Sequence, residues 1–201
     1  MKRNKNCKRC LLHKSALQNA CVWGRGNPNA DLLLCGESPG VEEDIAGVPF
    51  VGQAGKLLNH ILNKLGIDRA DVYVTNVLKC HPKQNKLPKK SELVKCFEQC
   101  KPYLDQEIEE VKPKAIVLMG STALKLLTGL SGITRYECME VQTVWENIYI
   151  YAAFHPAYVL RKPGVEVRLA QAIARAAKAA GMKVKTKGWE TGGIFNYEIR
   201  S

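Results

Sequence analysis

The sequence predicts an α/β fold, a three-layer α/β/α sandwich around a central, mostly parallel four-stranded sheet. Three observations lead there. Apolar runs of strand length alternate with stretches of helical periodicity. That alternation is the pattern of a sheet with helices packed against it. And polar residues collect just after the strand runs, at the carboxyl ends where ligands gather in such sheets.

Taken in order, residues 31–35 (DLLLC) read as a buried strand, followed by the glycine- and proline-bearing turn GESPG at 36–40. Residues 53–66 set Ala54, Leu57, Leu58, Ile61, Leu62 and Leu65 on one stripe of a helix. Residues 72–75 form the second strand. A helical stretch follows, with Ser91 as N-cap, Leu93, Val94, Phe97, Tyr103, Leu104 and Ile108 as its apolar face, and a break expected near Pro102. Residues 115–119 are the third strand, and Ser121 caps a short helix over 122–128. Residues 148–154 are the fourth strand, and 166–180 an alanine-rich helix. The tail from Gly181, with Trp189 and Tyr197, carries no readable pattern. The whole reads as one domain, 1–201, without repeat or linker.

The strand ends deliver chemistry to one edge. Gly36-Glu37-Ser38 follows the first strand, Asn76 ends the second, Gly120-Ser121 follows the third and His155 the fourth. A carboxylate, an amide and an imidazole from three strands make a candidate active site on topology alone.

Composition narrows the class. With 46% hydrophobic residues the chain can bury a core without disulfides. Its longest apolar runs fall far short of the ~20 residues of a membrane span. The basic start, MKRNKNCKRC, has no apolar stretch behind it and so is no signal peptide. A soluble, intracellular protein (cytoplasm or nucleoid) is expected, with no membrane partner. The net charge of +11 is confined to two segments: residues 1–14 and 79–95 hold 12 bases and one acid, while the other 170 residues balance. Both segments contain cysteines. A polyanion is the partner such a distribution suggests, with solvated lysine loops as the plain alternative.

Eight cysteines in a reducing compartment are metal ligands, reactive groups or buried small residues. Cys7 and Cys10 form a C-x2-C pair; Cys80, Cys96 and Cys100 lie far along the chain. Zinc would suit two close pairs, with Cys96 and Cys100 as the second. A four-thiolate iron–sulfur cluster suits one pair plus two dispersed cysteines. Spacing leaves both open, with free, unliganded thiols as a third alternative.

Several motifs, in order and at matching intervals, resemble the iron–sulfur uracil-DNA glycosylases, family 4 of that superfamily. They are the N-terminal C-x2-C, GRGNPNADLLLCGE at 24–37, GESPG at 36–40, EED at 42–44, GVPFVGQAGKLLN at 47–59, TNVLKCHPKQN at 75–85 and HPAYVLR at 155–161. The likeness runs from about residue 7 to 180. It implies excision of uracil from single- or double-stranded DNA in base excision repair, leaving an abasic site. It also implies a [4Fe–4S] cluster on Cys7, Cys10, Cys80 and Cys96, joining the segments 1–30 and 79–100, with Cys100 outside the pattern.

The same resemblance distributes roles. Excision requires flipping the base into a pocket, stacking it, reading its edge and stabilising the anion that departs. Phe50 stacks on uracil, Asn76 reads its O4 and N3 edge, His155 donates to O2, and Gly36, Glu37 and Ser38 complete the uracil site. Glu37 and His155 are the expected catalytic pair. Glu43, near the C5 edge, and Asn85 support them. Lys83, Lys86 and Lys89 would meet phosphates, and Arg161 a further one, while Tyr158 or Leu160 could wedge into the gap left by the flipped base. KCHPK at 79–83 departs from the family, which more often has arginine and a second proline after the cysteine. A monomer is expected; whether a sliding clamp or another repair protein binds is not decided by these residues. Two alternatives stand beside this reading. One is a non-catalytic iron–sulfur or zinc nucleic-acid-binding module. The other is a covalent uracil-DNA-binding relative, whose histidine-bearing insertion after the second strand is longer than 81–90 here.

Overall fold

A computed structural model describes residue 4, residues 6–162 and residues 164–185. Lys2, Arg3 and Lys5 of the first basic segment, and Trp189 and Tyr197 of the tail, lie outside the described residues. Strands β1 (Arg25–Gly26), β2 (Leu32–Gly36), β3 (Tyr73–Asn76), β4 (Ala115–Met119) and β5 (Tyr149–Ala153) form one sheet in the order β1-β3-β2-β4-β5. β2 to β5 run parallel, with Leu34 opposite Val74 on one side and Val117 on the other. These are the four strands the sequence predicts. The fifth, β1, pairs antiparallel with β3 and corrects the count. It escapes a sequence reading because it is two exposed residues, Arg25 and Gly26, with no apolar pattern.

Successive residues of β2 face opposite layers, which is why the run is apolar throughout. Leu32 and Leu34 pack with α2 (Gln53–Lys64) and α7 (Glu166–Ala179), while Leu33 and Cys35 pack with α3 (Lys90–Val111) and α4 (Ser121–Thr128). The stripe at Leu57, Leu58, Ile61 and Leu62 of α2 is buried, each side chain contributing about 1.5–3 kcal/mol. No helix among the described residues is long and apolar enough to cross a membrane.

Three details differ from expectation. α3 runs unbroken through Pro102. Pro102 and Glu98, whose carbonyl loses its partner, both sit on the exposed side, where water can satisfy that oxygen. The opposite face, including Phe97, Tyr103, Leu104 and Ile108, is held against the sheet. α3 is capped at Lys89, placing Ser91 inside the first turn, and α4 is capped at Gly120, making Ser121 its first residue. Gly120 has φ 100°, and an added Cβ would lie 3.1 Å from His155 Cβ; glycine there lets β4 turn close under the imidazole. The short helices α1 (Val41–Ala46), α5 (Ile133–Tyr136) and α6 (Pro156–Arg161) are too brief to show periodicity.

The chain passes from β2 to β3 on one side and returns to β4 on the other. This reversal opens a crevice beyond the carboxyl end of β2.

Candidate active site

That crevice is a cleft of about 620 Å³. Glu37, Ser38, Glu43, Phe50, Asn76, Asn85, His155, Tyr158 and Arg161 line it, together with Gly120, Ser121 and residues of α5. The polar residues predicted at four strand ends therefore meet in one place.

His155 follows β5 and caps α6, with Pro156 fixed as the first helical residue. Its Nδ1 accepts a hydrogen bond from the Ala157 N–H at 3.1 Å. An accepting Nδ1 carries no proton, so the neutral ring is protonated at Nε2. Nε2 is buried and has no partner among the described residues. Burial first, and the Arg161 charge second, lower the pKa of His155 from 6.5 to about 4. The unfolded chain thus binds a proton that the folded one rejects between those values. His155 contributes stability fully above about pH 6.5, and that contribution is lost as pH falls toward 4. Titration of the His155 ring by NMR is expected to show a neutral Nε2–H tautomer down to about pH 4. The kcat/KM profile is expected to lack an inflection near 6.5 that His155→Ala removes.

Asn76 ends β3 with its side-chain oxygen buried and without a hydrogen-bond partner among the described residues. Gly36 lies beside it: a Cβ there would stand 2.5 Å from Asn76 Oδ1 and 2.6 Å from Phe50 Cζ. Only glycine admits both side chains. Gly36 itself is buried at the end of β2 beneath the cleft rather than among its lining residues.

Phe50 is buried with its ring centroid 5.8 Å from that of His155. Its backbone is left-handed (φ 57°), a conformation that costs a residue with a Cβ about 1–3 kcal/mol unless its surroundings fix it. Glu43 does the fixing. Its carboxylate accepts the N–H groups of Val51 at 3.0 Å, Gly52 at 2.9 Å and Gly40 at 3.0 Å, so it ties the GESPG turn to the Phe50 loop. Glu37 takes a hydrogen bond from Thr122 Oγ1 at 2.5 Å. Thr122, two residues past Gly120 in the first turn of α4, was missed in the sequence because its partner is 85 residues away. Tyr158 packs its ring on Phe154 at 5.0 Å, whereas Leu160 packs against the α2–α7 core instead of lining the cleft.

The second basic segment borders the cleft. Asn85 reaches the lining from a short turn over Lys83–Asn85, and Lys83, Lys86 and Lys89 around it are exposed. Lys79 is a correction to the charge reading: it is 1% exposed and paired with Glu107 at 2.6 Å, so it faces no solvent polyanion. His81 is likewise buried, its Nδ1 3.2 Å from the Pro39 carbonyl.

The cysteines divide as follows. Cys10 is in hydrogen-bond contact with Cys100 and Cys96, which lie a turn apart on α3. Cys7 packs with Cys21 and Trp23 and accepts from Tyr103 Oη at 3.5 Å, and Cys80 Sγ donates to the Ala20 carbonyl at 2.6 Å. Among the described residues no three His, Cys, Asp or Glu side chains converge as a single metal ion requires. The donors are nonetheless all sulfur, drawn from three segments onto one lobe, which is the donor chemistry of a multi-iron cluster. Burial raises the Cys96 thiol to about 11 and lifts Cys80 further, while the contact with Cys100 lowers Cys10 to about 6. Cys35, buried at the end of β2, is a packing residue.

Comparison with known proteins shows the family of the chain. The model of the uracil DNA glycosylase superfamily matches residues 23–178. A type-4 uracil-DNA glycosylase of Pyrobaculum aerophilum is 39% identical over 168 residues, covering 80% of this chain and 83% of that protein. One from Archaeoglobus fulgidus is 38% identical over 165 residues, covering 79% and 80%, and one from Thermotoga maritima 36% over 167, covering 83% and 84%. Matched by this family model over most of its length and similar to these relatives along most of theirs, the chain belongs to the uracil-DNA glycosylase superfamily and, within it, to the type-4 uracil-DNA glycosylases.

Proposed function

We propose that this protein takes uracil from DNA into the cleft beyond β2 and hydrolyses its N-glycosidic bond, releasing uracil and leaving an abasic site for repair. One observation carries the reading. Two buried polar atoms without partners among the described residues, His155 Nε2 and Asn76 Oδ1, belong to residues lining the same cleft. A buried polar atom without a partner is costly, so a built site that has two of them is made for a ligand. Uracil offers the complement: O2 accepts from Nε2–H, N3–H donates to Oδ1, and O4 accepts from the Asn76 amide nitrogen. Cytosine has an acceptor at N3 and a donor at C4, so it meets this amide with both signs reversed.

The chemistry follows from charge. As C1′–N1 breaks, the electron pair leaves with the base, and negative charge grows on O2 while the sugar becomes cationic. The neutral His155 stabilises the anion by donation and needs to lose no proton. Glu37, held by Thr122, stabilises the cation and orients the water whose oxygen bonds to C1′; the water O–H bond breaks as it does so, and the proton released balances the charge of the departing uracil anion. Phe50 stacks on the base, and Glu43 acts by fixing the Phe50 loop, its own oxygens being occupied. Asn85, on the rim, faces the nucleotide.

Cys7, Cys10, Cys80 and Cys96 hold the [4Fe–4S] cluster of the type-4 family in this reading. The cluster's contribution is structural, bracing the N-terminal segment against the loop after β3 and against α3. The all-sulfur donor set supports the assignment. Tyr158 and Arg161 meet the strand beside the flipped base. Lys83, Lys86 and Lys89 contact phosphates; replacing all three by alanine should lower the salt slope of DNA binding by about 0.9 for each phosphate no longer neutralised, while leaving single-turnover uracil release near wild type. An unchanged slope would make them solvated loop residues.

Release of free uracil from uracil-containing oligonucleotides tests the proposal. Wild type should release it, and His155→Ala and Asn76→Ala should be severely impaired. DNA binding with no release would favour a non-catalytic binding module.

A further inference from the structure

Beneath the cleft lies a buried charge that neither the chemistry above nor the DNA reading uses. Lys79 and Glu107 are 1% and 0% exposed. The Lys79 ammonium donates to Glu107 Oε2 at 2.6 Å, to Thr75 Oγ1 at 2.7 Å and to the Asn76 carbonyl at 2.9 Å. Thr75 Oγ1 in turn donates to Glu107 Oε2 at 2.7 Å, and the Gly24 N–H to Oε1 at 2.6 Å. All three ammonium protons and both carboxylate oxygens are used.

We infer that Lys79 and Glu107 are positioning residues that fix the end of β3 and so present Asn76 to the base, a role that rests on the proposed reading of uracil by Asn76. Two facts support it. The Asn76 side-chain oxygen has no partner among the described residues, so none of them holds the amide by that oxygen before uracil arrives. What holds it is its backbone: the carbonyl on the ammonium, and the next two residues bonded to the first motif, Val77 N–H to the Gly36 carbonyl and Leu78 N–H to the Glu37 carbonyl, each at 3.0 Å. Second, an ion pair this buried gains little over an apolar pair as a mere brace, because desolvation offsets its attraction. Its geometry, aimed at the carbonyl of one base-reading residue, supplies the reason that packing does not. Because Glu107 also holds Gly24 and sits on the helix of Cys96, the same pair couples the cysteine lobe to base recognition.

The test compares wild type, Lys79→Met/Glu107→Leu and Asn76→Ala in the full-length holo protein, alone and combined. The double apolar variant should keep the fold and its KM for DNA, yet lose roughly tenfold to a hundredfold in kcat for uracil release, as expected of a misplacement near 1 Å. Adding Asn76→Ala should then cost far less than it does in wild type. A double variant that folds with wild-type kcat overturns the inference. So does an Asn76→Ala penalty equal in both backgrounds. If Asn76→Ala leaves wild-type release unaffected, the reading of uracil by Asn76 fails first, and the inference with it. Thr75→Val removes only the hydroxyl of the network and carries the test should the double variant not fold: a kcat loss of a few-fold at unchanged KM supports the inference, and wild-type kcat overturns it.

Discussion

His155→Ala is expected to lower kcat for uracil release about 10²–10³-fold, equivalent to about 2.7–4 kcal/mol, with DNA affinity little changed. The magnitude follows from what the ring does. It supplies one N–H, buried and already oriented, where charge appears only as the bond breaks. The loss should fall in kcat because O2 carries little charge in the bound ground state. The ring also caps α6 through Ala157, so a stability loss of about 1 kcal/mol is expected alongside. Thermal melts separate the two: a protein that melts within a few degrees of wild type but has lost two orders of magnitude in kcat has lost the donor. His155→Gln, whose amide can still donate, should recover part of the rate.

Lys79→Met alone is expected to be the most destabilising change in the molecule's polar interior. It leaves the Glu107 carboxylate buried among Gly24 N–H and Thr75 with its cation gone. Uncompensated charges of this kind cost about 3–5 kcal/mol. For a chain of this size that is a fall in melting temperature of about 6–20 °C. Replacing Glu107 by Leu as well should restore most of it, since no charge is then left alone. A single variant as stable as wild type would mean that Glu107 takes up a proton or that water reaches it.

The fold was legible in the sequence where burial is two-sided. The run DLLLC and the run at Ala115–Met119 read as strands covered on both faces because each is short, apolar and followed by a glycine-bearing turn, and between them the α2 stripe has helical spacing. What could not be read was decided by tertiary partners. Pro102 stays helical because the buried face of α3 overrides a missing hydrogen bond on its wet side. Lys79 looked like one more base in a lysine-rich segment; its burial depends on Glu107, 28 residues on, which no local pattern announces. β1 and α1 lack any periodic signal.

The site divides in the same way. Glu37, Asn76 and His155 were visible because strand ends in a parallel sheet converge, and Phe50 because a motif marks it. The supports were not. Thr122 beneath Glu37, and Glu43 clamping a left-handed Phe50, are contacts between segments that the sequence sets far apart or assigns to other work. Groups that face substrate were thus easier to find in the sequence than groups that aim them.

In the proposed mechanism His155 and Asn76 together grip uracil as it leaves. Single-turnover release of uracil from a uracil-containing oligonucleotide, measured for wild type, His155→Ala, Asn76→Ala and the double variant, tests this directly. Rapid release by wild type is expected, with large kcat losses in each single variant and activity near background in the double, DNA still being bound. Wild-type release rates in either single variant, or no release by the wild-type holo protein, would refute the shared grip.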